Sequence, residues 1–344
     1  MDAEAWMRTI IDILLILIGT PGNLLIILVY GTKGIRISAH VFIIGLAMAD
    51  IFVCFTRPLG VFNNIPRLEK YKHSSEILCR LPYFLKFVAM FSSVVITSGI
   101  AVDRYFAVCK PHGHIMSVHR AKLAVGFCFT LCLILSIPPL VVFGLVEYPH
   151  YGVVCAFVTP EWTTSFLVTP VYIVGSASLM IIIILYIRIY IAVRHRIKVR
   201  AEGLMIDRRP AASSTRDEEG STGNGTRVTT VSIVGAAANN PDQQATVRSQ
   251  PSKVKSKTTK MLFITTVVFV ITWIPFMATI NFSPETKAAL YRASPAGYVV
   301  VIFLSKLLLI NHAVNPFIYG IVSQRFREDA KHIWQKLKRW ITKQ

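Results

Sequence analysis

Residues 38–61 read SAHVFIIGLAMADIFVCFTRPLGV, an apolar run with a single acid, Asp50, at its middle. A bilayer core of ~30 Å needs about 20 mostly apolar residues per helix, and this run supplies them. Six further stretches do the same, placing seven spans at 7–30, 38–61, 76–109, 120–146, 163–196, 256–281 and 295–321. The third and fifth exceed one crossing and project beyond the bilayer. Backbone groups in hydrocarbon must bond within their own segment, so the spans are helices. The short alternating segments of an outer-membrane barrel do not occur. The predicted fold is an all-α membrane protein: a seven-transmembrane helix bundle with a C-terminal amphipathic interfacial helix.

Composition agrees. Hydrophobic residues make up 53% of the 344, charged ones only 16%, yet the net charge is +19. Soluble domains carry roughly 25% charged residues, and a nucleic-acid binder would carry more, so both classes are disfavoured. The placement of Lys and Arg orients the bundle. With the N-terminus outside, the inner face holds 27 of the 37 basic residues and nine of the 18 acids, a net +18 that leaves +1 for the rest. The expectation is a plasma-membrane, multi-pass chain, N-terminus extracellular and C-terminus cytoplasmic. Ile10–Ile18 could be the core of a signal peptide, but Asp2 and Glu4 precede it and apolarity resumes at Leu24–Tyr30. It reads as a signal-anchor first helix.

Residues 1–321 form the bundle, with 197–255 as a third cytoplasmic loop that is polar and short of large apolar residues. It reads as mostly disordered, its ends continuing the flanking helices. Asn224-Gly225-Thr226 fits a glycosylation sequon on the cytosolic side, so it should go unused; Asn281-Phe282-Ser283 is a poor acceptor beside the membrane. In 322–344, Phe326, Ala330, Ile333, Leu337 and Ile341 recur at helical spacing, with Arg327, Lys331, Lys338 and Lys343 between them. That suits a helix lying in the interface beside anionic lipid; the alternative is a solvated basic tail.

Ionisable and polar groups within spans are costly, so each is a functional candidate. Asp50 is the one acid read as lying deep. Asn23 is in the first span, Ser93 in the third, and Asn311 and Asn315 in the seventh, before Pro316. The stretches Gly22-Asn23, Leu46-Ala47-Met48-Ala49-Asp50, Asp103-Arg104-Tyr105, Trp273-Ile274-Pro275 and Asn315-Pro316-Phe317-Ile318-Tyr319 follow in order along the chain. Together they resemble the rhodopsin-like (class A) G protein-coupled receptors over nearly the whole length, with a weaker similarity to melatonin receptors and related orphans in Tyr148-Pro149, Cys155-Ala156-Phe157 and Gln324-Arg325-Phe326-Arg327.

The resemblance implies roles. A buried Asp50 carboxylate needs partners. Ser93, Asn311 and Asn315 could supply oxygens around a small cation, and the resemblance implies sodium (Na+) at Asp50; the alternative is a neutral, hydrogen-bonded Asp50. Asp103 can hold the Arg104 guanidinium at rest. On activation the family's arginine meets the G protein and the fifth-helix tyrosine, here Tyr186, with Tyr319 as partner from the seventh. Tyr105 completes that motif. Pro275 frees a backbone carbonyl, and Trp273 with Phe269 forms a switch that a ligand would move, or simply packs. Cys79 and Cys155 are the pair on the oxidising side, and the resemblance joins them in a disulfide.

Departures matter as well. The family often sets an acid on the sixth helix opposite the arginine, where this chain has Lys255. Phe129 stands in for a fourth-helix tryptophan and Ser178 for a fifth-helix proline. Lys86 occupies the position of the aminergic aspartate, and Leu309 that of the retinal-linking lysine, so neither an amine counter-ion nor retinal is expected. Lys86 either meets an anionic ligand group or bridges to Glu76, Glu147 or Glu161. The expected pocket lining is Tyr83, Lys86, Phe87, Met90, Trp273, Phe276 and Ser305. The implied protein is not an enzyme and needs no cofactor. It binds an extracellular small molecule or peptide, sits in the lipid bilayer and activates a heterotrimeric G protein, with arrestin a further partner and nucleic acid none. The alternatives are a seven-helix transporter or pump, or a non-signalling decoy receptor.

Overall fold

The computed structural model describes residues 3–32, 34–35, 37–58, 75–111, 115–148, 152–158, 162–207, 241–279, 282 and 284–342. Seven of its helices are long and apolar enough to cross a membrane. The first span runs Ala3–Leu14, a π-helical turn Leu15–Gly19, then Thr20–Thr32. The second is Ser38–Phe55, the third Glu76–Cys109 and the fourth Val118–Leu135. The fifth is Trp162–Asp207, the sixth Pro241–Thr279 and the seventh Pro295–Val322. A terminal helix, Gln324–Ile341, follows.

Serines start several of these helices by accepting an orphan backbone N–H. Ser75 accepts from Ile77, Ser117 from Arg120, Ser294 from Gly297 and Ser323 from Phe326. Between the first two spans, Gly34 takes φ 73°, the left-handed region open to glycine.

The fifth and sixth helices extend to Asp207 and back to Pro241, continuing into the loop, while the second and fourth end earlier than the sequence reading placed them. The second span stops at Phe55, not 61, because the chain turns at Thr56 ahead of Pro58. The fourth is not helical to 146. It ends at Leu135, resumes briefly at Pro138–Val142, and gives way to strand β1, Phe143–Tyr148. The strand pairs antiparallel with β2, Gly152–Phe157, in the register Leu145↔Cys155. A short helix, Pro284–Ala293, also precedes the seventh span. The loop acids Asp217–Glu219 and the Asn224 sequon lie outside the described residues, as do Asn281, Ser283, Glu161 and the Lys255 side chain.

The third span is the axis. It packs against the second, fourth, fifth and sixth, and 67% of its most apolar window is buried, against 28% for the first, fourth and fifth. The seventh lies on the sixth, first and second. At the first–seventh crossing, a Cβ on Gly22 would run into the Pro316 ring. Glycine there lets the two backbones close, which gives the Gly22-Asn23 pair a packing reason. Large side chains such as Leu17, Phe127, Ile173 and Ile321 face outward, each more than 60% exposed. Such surface suits hydrocarbon rather than water. One end of the bundle carries the hairpin and Cys79; the other carries Arg104 and the terminal helix.

Candidate functional site

Several groups of side chains stand out along the bundle axis. At mid-depth is a polar centre around Asp50, which is wholly buried. Its Oδ1 lies 2.7 Å from His312 Nδ1. Asn315 Nδ2 donates to Oδ2 at 2.7 Å, and Ser93 Oγ donates to Oδ1 at 3.4 Å. Asn23 does not reach the acid. Its Nδ2 donates to Gly19 O at 2.9 Å and to His312 O at 2.7 Å, tying the first span to the seventh. Asn311 is buried, and its Oδ1 has no hydrogen-bond partner.

His312 is the residue the sequence reading missed. It was legible, because His312 and Asn315 are three apart on one helix and share a face, and an ionisable group in a span is a signal in itself. Its presence changes the fit for sodium. Both carboxylate oxygens face nitrogens, each at a 2.7 Å hydrogen-bonding separation with no room for an ion between. The donor set around Asp50 does not fit a cation.

At the Arg104 end, Arg104 and Asp103 are both buried. Arg104 donates to Asp103 Oδ2 through Nε at 3.0 Å and through Nη2. Ser38, at the start of the second span, donates to Asp103 Oδ1. Tyr105 sits edge-on to Phe106, with ring centres 5.6 Å apart. The two tyrosines proposed as partners are apart. Tyr186 shares a hydrogen bond with Thr266 of the sixth span at 3.0 Å. Tyr319 is buried against Tyr30 and Phe326, ring centres 6.3 and 6.0 Å away, with its hydroxyl unpartnered. Phe326 anchors the terminal helix here, and Arg327 Nη1 donates to Gly320 O and Ile321 O at 2.8 and 2.9 Å, satisfying the last carbonyls of the seventh span. Trp334, Leu337 and Ile341 stay exposed on that helix.

On the hairpin side of the Asp50 centre Phe269 and Trp273 stack at 5.5 Å, and Trp273 touches Phe276 at 5.4 Å. Met90, Phe91, Val94, Val171, Ile182 and Leu308 surround them. Gly175 on the fifth span makes room for the indole: a Cβ there would lie 2.6 Å from Trp273. Pro275 follows two residues later in the same helix.

At the hairpin end, Cys79 and Cys155 are joined, tying β2 to the third span. Tyr83 stacks on Phe143 of β1 at 3.7 Å, so it packs beneath the hairpin. Phe87 lies edge-on to Phe91 at 6.0 Å and Met90 is buried. Phe276 and Ser305 line a cavity of about 160 Å³ with Thr279, Phe282, Ile302 and Lys306. A larger groove, about 610 Å³, is lined by Trp6, Ile10, Leu14, Phe303 and Phe317 between the first and seventh spans. Its wholly apolar wall opens on the lipid-facing side, away from the other polar groups.

Asp50 is not alone as a buried acid. Asp12, inside the first span, pairs with Arg57 at 3.4 Å, and both are buried. Arg57 also donates to Val53 O at 3.2 Å and to Thr56 Oγ1 at 3.0 Å. Lys86 and Lys306 lie within Coulombic reach of the same carboxylate. Arg57 contacts it directly. Of the acids considered for Lys86, Glu76 is engaged by Arg80 at 2.7 Å, and Glu161 lies outside the described residues.

The chain matches the family described as 7 transmembrane receptor (rhodopsin family) over residues 22–319. Among known proteins it is similar to cephalotocin receptor 1 of Octopus vulgaris, 30% identical over 45% of this chain and 39% of the relative. It is also similar to an octopamine receptor of Heliothis virescens, 31% identical over 59% of the chain and 42% of the relative. With melatonin receptor type 1A of Ovis aries it shares 29% identity over 53% of the chain and 50% of the relative. The chain spans half or less of the length of each of these relatives.

Proposed function

The chain belongs to the rhodopsin family of seven-transmembrane receptors, and from that premise we propose that it binds an extracellular ligand at the hairpin end and activates a heterotrimeric G protein at the Arg104 end. The chain is then a multi-pass plasma-membrane receptor, with residues 1–321 as the bundle and 197–255 as its third cytoplasmic loop. Residues 322–344 form an amphipathic helix and tail at the inner interface. The N-terminus lies outside and the C-terminus inside, in keeping with the net +18 gathered on one face.

The observation that carries this reading is the Arg104 end. A guanidinium only 5% exposed is held by the neighbouring Asp103, and the fifth- and seventh-span tyrosines are separated. A charge kept off the surface in this way has a use if a second state releases it to a partner. Trp273, stacked on Phe269 and touching Phe276 at the cavity wall, supplies the link from ligand to that end. Arrestin would use the same exposed face.

For the ligand, the relatives are named for a peptide, an amine and melatonin. An amine is disfavoured because Lys86 stands where its counter-ion would, and Leu309 leaves retinal no lysine to link to. Lys86, a cation on the third span at that position, favours a small molecule or peptide with an anionic group.

The test is a G-protein dissociation panel in cells, run without ligand and with a library of acidic small molecules and peptides. One Gα class should respond, and Arg104→Ala should abolish the response at equal surface expression. Silence across all classes, with the protein at the surface, would overturn the reading. Ligand-independent ion flux in a liposome assay would indicate a transporter instead.

A further inference from the structure

We infer that the imidazole of His312 takes the place of the small cation that the family resemblance assigns to Asp50, so the polar centre of this receptor is closed by its own side chain and does not take sodium. The geometry is direct. His312 Nδ1 lies 2.7 Å from Asp50 Oδ1, and the two side chains are 3% and 0% exposed. A hydrogen lies on that line whichever atom owns it, and it occupies the position from which a cation would approach Oδ1. Asn315 Nδ2 covers Oδ2 at 2.7 Å and Ser93 Oγ adds a third donor at 3.4 Å. A cation seeks lone pairs, and each carboxylate oxygen of Asp50 already faces a nitrogen at 2.7 Å. The remaining oxygens nearby, Asn311 Oδ1 and Asn315 Oδ1, have no protein partner. Buried water supplies hydrogens to acceptors of this kind.

His312 also does what a bridging ion would do. Its side chain holds the second span through Asp50, and its carbonyl accepts from Asn23 of the first at 2.7 Å. Asp50 reaches the third span through Ser93. Four helices thus meet at one residue pair, with every link made by the chain itself. An imidazole cannot leave as an ion can. The resting arrangement is therefore independent of the sodium gradient across the membrane.

The test measures the unfolding midpoint of the purified receptor in lipid nanodiscs, in sodium chloride and in N-methyl-D-glucamine chloride at equal ionic strength. No ligand or G protein is needed, so failure here is distinguishable from failure of the coupling reading. The wild-type midpoint should be the same in both salts. His312→Ser uncovers Asp50. Its midpoint should fall in N-methyl-D-glucamine and recover by several degrees in sodium, because an ion that binds only the folded state stabilises it. His312→Ala, which also removes the imidazole, is the second variant should the serine protein fail to fold. Adding Asp50→Asn should erase the sodium response of either. A wild-type midpoint that rises with sodium overturns the inference without recourse to any variant. So does a sodium response absent from both His312 variants.

Discussion

Replacing Ser38 by alanine should raise ligand-free signalling. Ser38 Oγ donates to Asp103 Oδ1, while Arg104 occupies Oδ2 of the same, 1%-exposed carboxylate. The second span thus fixes the acid that holds the arginine. A hydrogen bond to a charged group is worth about 1.5–3 kcal/mol. Only the part lost on activation biases the two states, since an interaction kept in both shifts nothing. Taking the lower end, about 1.4 kcal/mol corresponds to a factor of ten in the ratio of active to resting receptor. From an active fraction on the order of 1%, Ser38→Ala should give roughly a five- to tenfold rise in basal output. Ser38→Thr, which keeps the hydroxyl, should stay near wild type. The assay is ligand-free G-protein dissociation in cells, normalised to surface receptor. If Ser38→Ala and Ser38→Thr both match wild type while Asp103→Asn raises the signal, Ser38 contributes nothing to the restraint. If Asp103→Asn is silent too, the restraint of Arg104 by Asp103 is refuted.

Three further outcomes are expected. Asp12→Ala strands Arg57 as a buried cation and should cost about 3 kcal/mol, less whatever Val53 O and Thr56 Oγ1 retain; the double variant with Arg57→Met should regain most of it. Thermal inactivation in nanodiscs reads both, and additive losses would show that the pair is uncoupled. Gly175→Val places carbon 2.6 Å from the Trp273 indole, so the ring must shift, and basal or ligand-driven signalling should change at unaltered surface level; an unchanged dose–response would mean that Trp273 has no switch role. Lys86→Ala should weaken an acidic agonist by at least tenfold in potency, and an unaltered half-maximal concentration would remove Lys86 from the ligand site.

The seven spans were legible because apolar length is a one-dimensional signal: Ser38–Phe55 and Glu76–Cys109 begin where the sequence placed them. What hydropathy could not see is pairing. Phe143–Tyr148 is apolar enough to extend a helix, yet Pro138-Pro139 resets the chain and Gly152–Phe157 offers a strand partner. The motif residues were legible one by one, but their partners were not. Arg57 and Asp12 belong to none of the motifs, and their pairing lies between segments 45 residues apart, so only the three-dimensional packing reveals it. His312 was overlooked between two asparagines that fitted an expected cation site. Its carbonyl bond to Asn23 depends on the distance between two helices 289 residues apart in sequence, which no local pattern carries.

These contacts bear jointly on how a resting state is held. The sequence places Lys255 where the family resemblance expects an acid opposite Arg104, so a restraint from the sixth span is not available at that position. Asp103 then carries the load, and Ser38 fixes Asp103 from the second span. The same second span carries Asp50, which His312 binds from the seventh. Both restraints therefore act through one helix, and this is the helix that Asp12 anchors to the first span through Arg57. If Lys255 removes the sixth-span lock, the Ser38 bond to Asp103 compensates for it. Placing an acid at 255 should then make Ser38→Ala nearly silent, whereas the two changes would act independently if the sixth span had no part in holding Arg104. Basal dissociation of the single and double variants, Lys255→Glu and Ser38→Ala, separates those outcomes: a coupling near zero would sink the compensation, and a double variant restored to wild-type output would establish it.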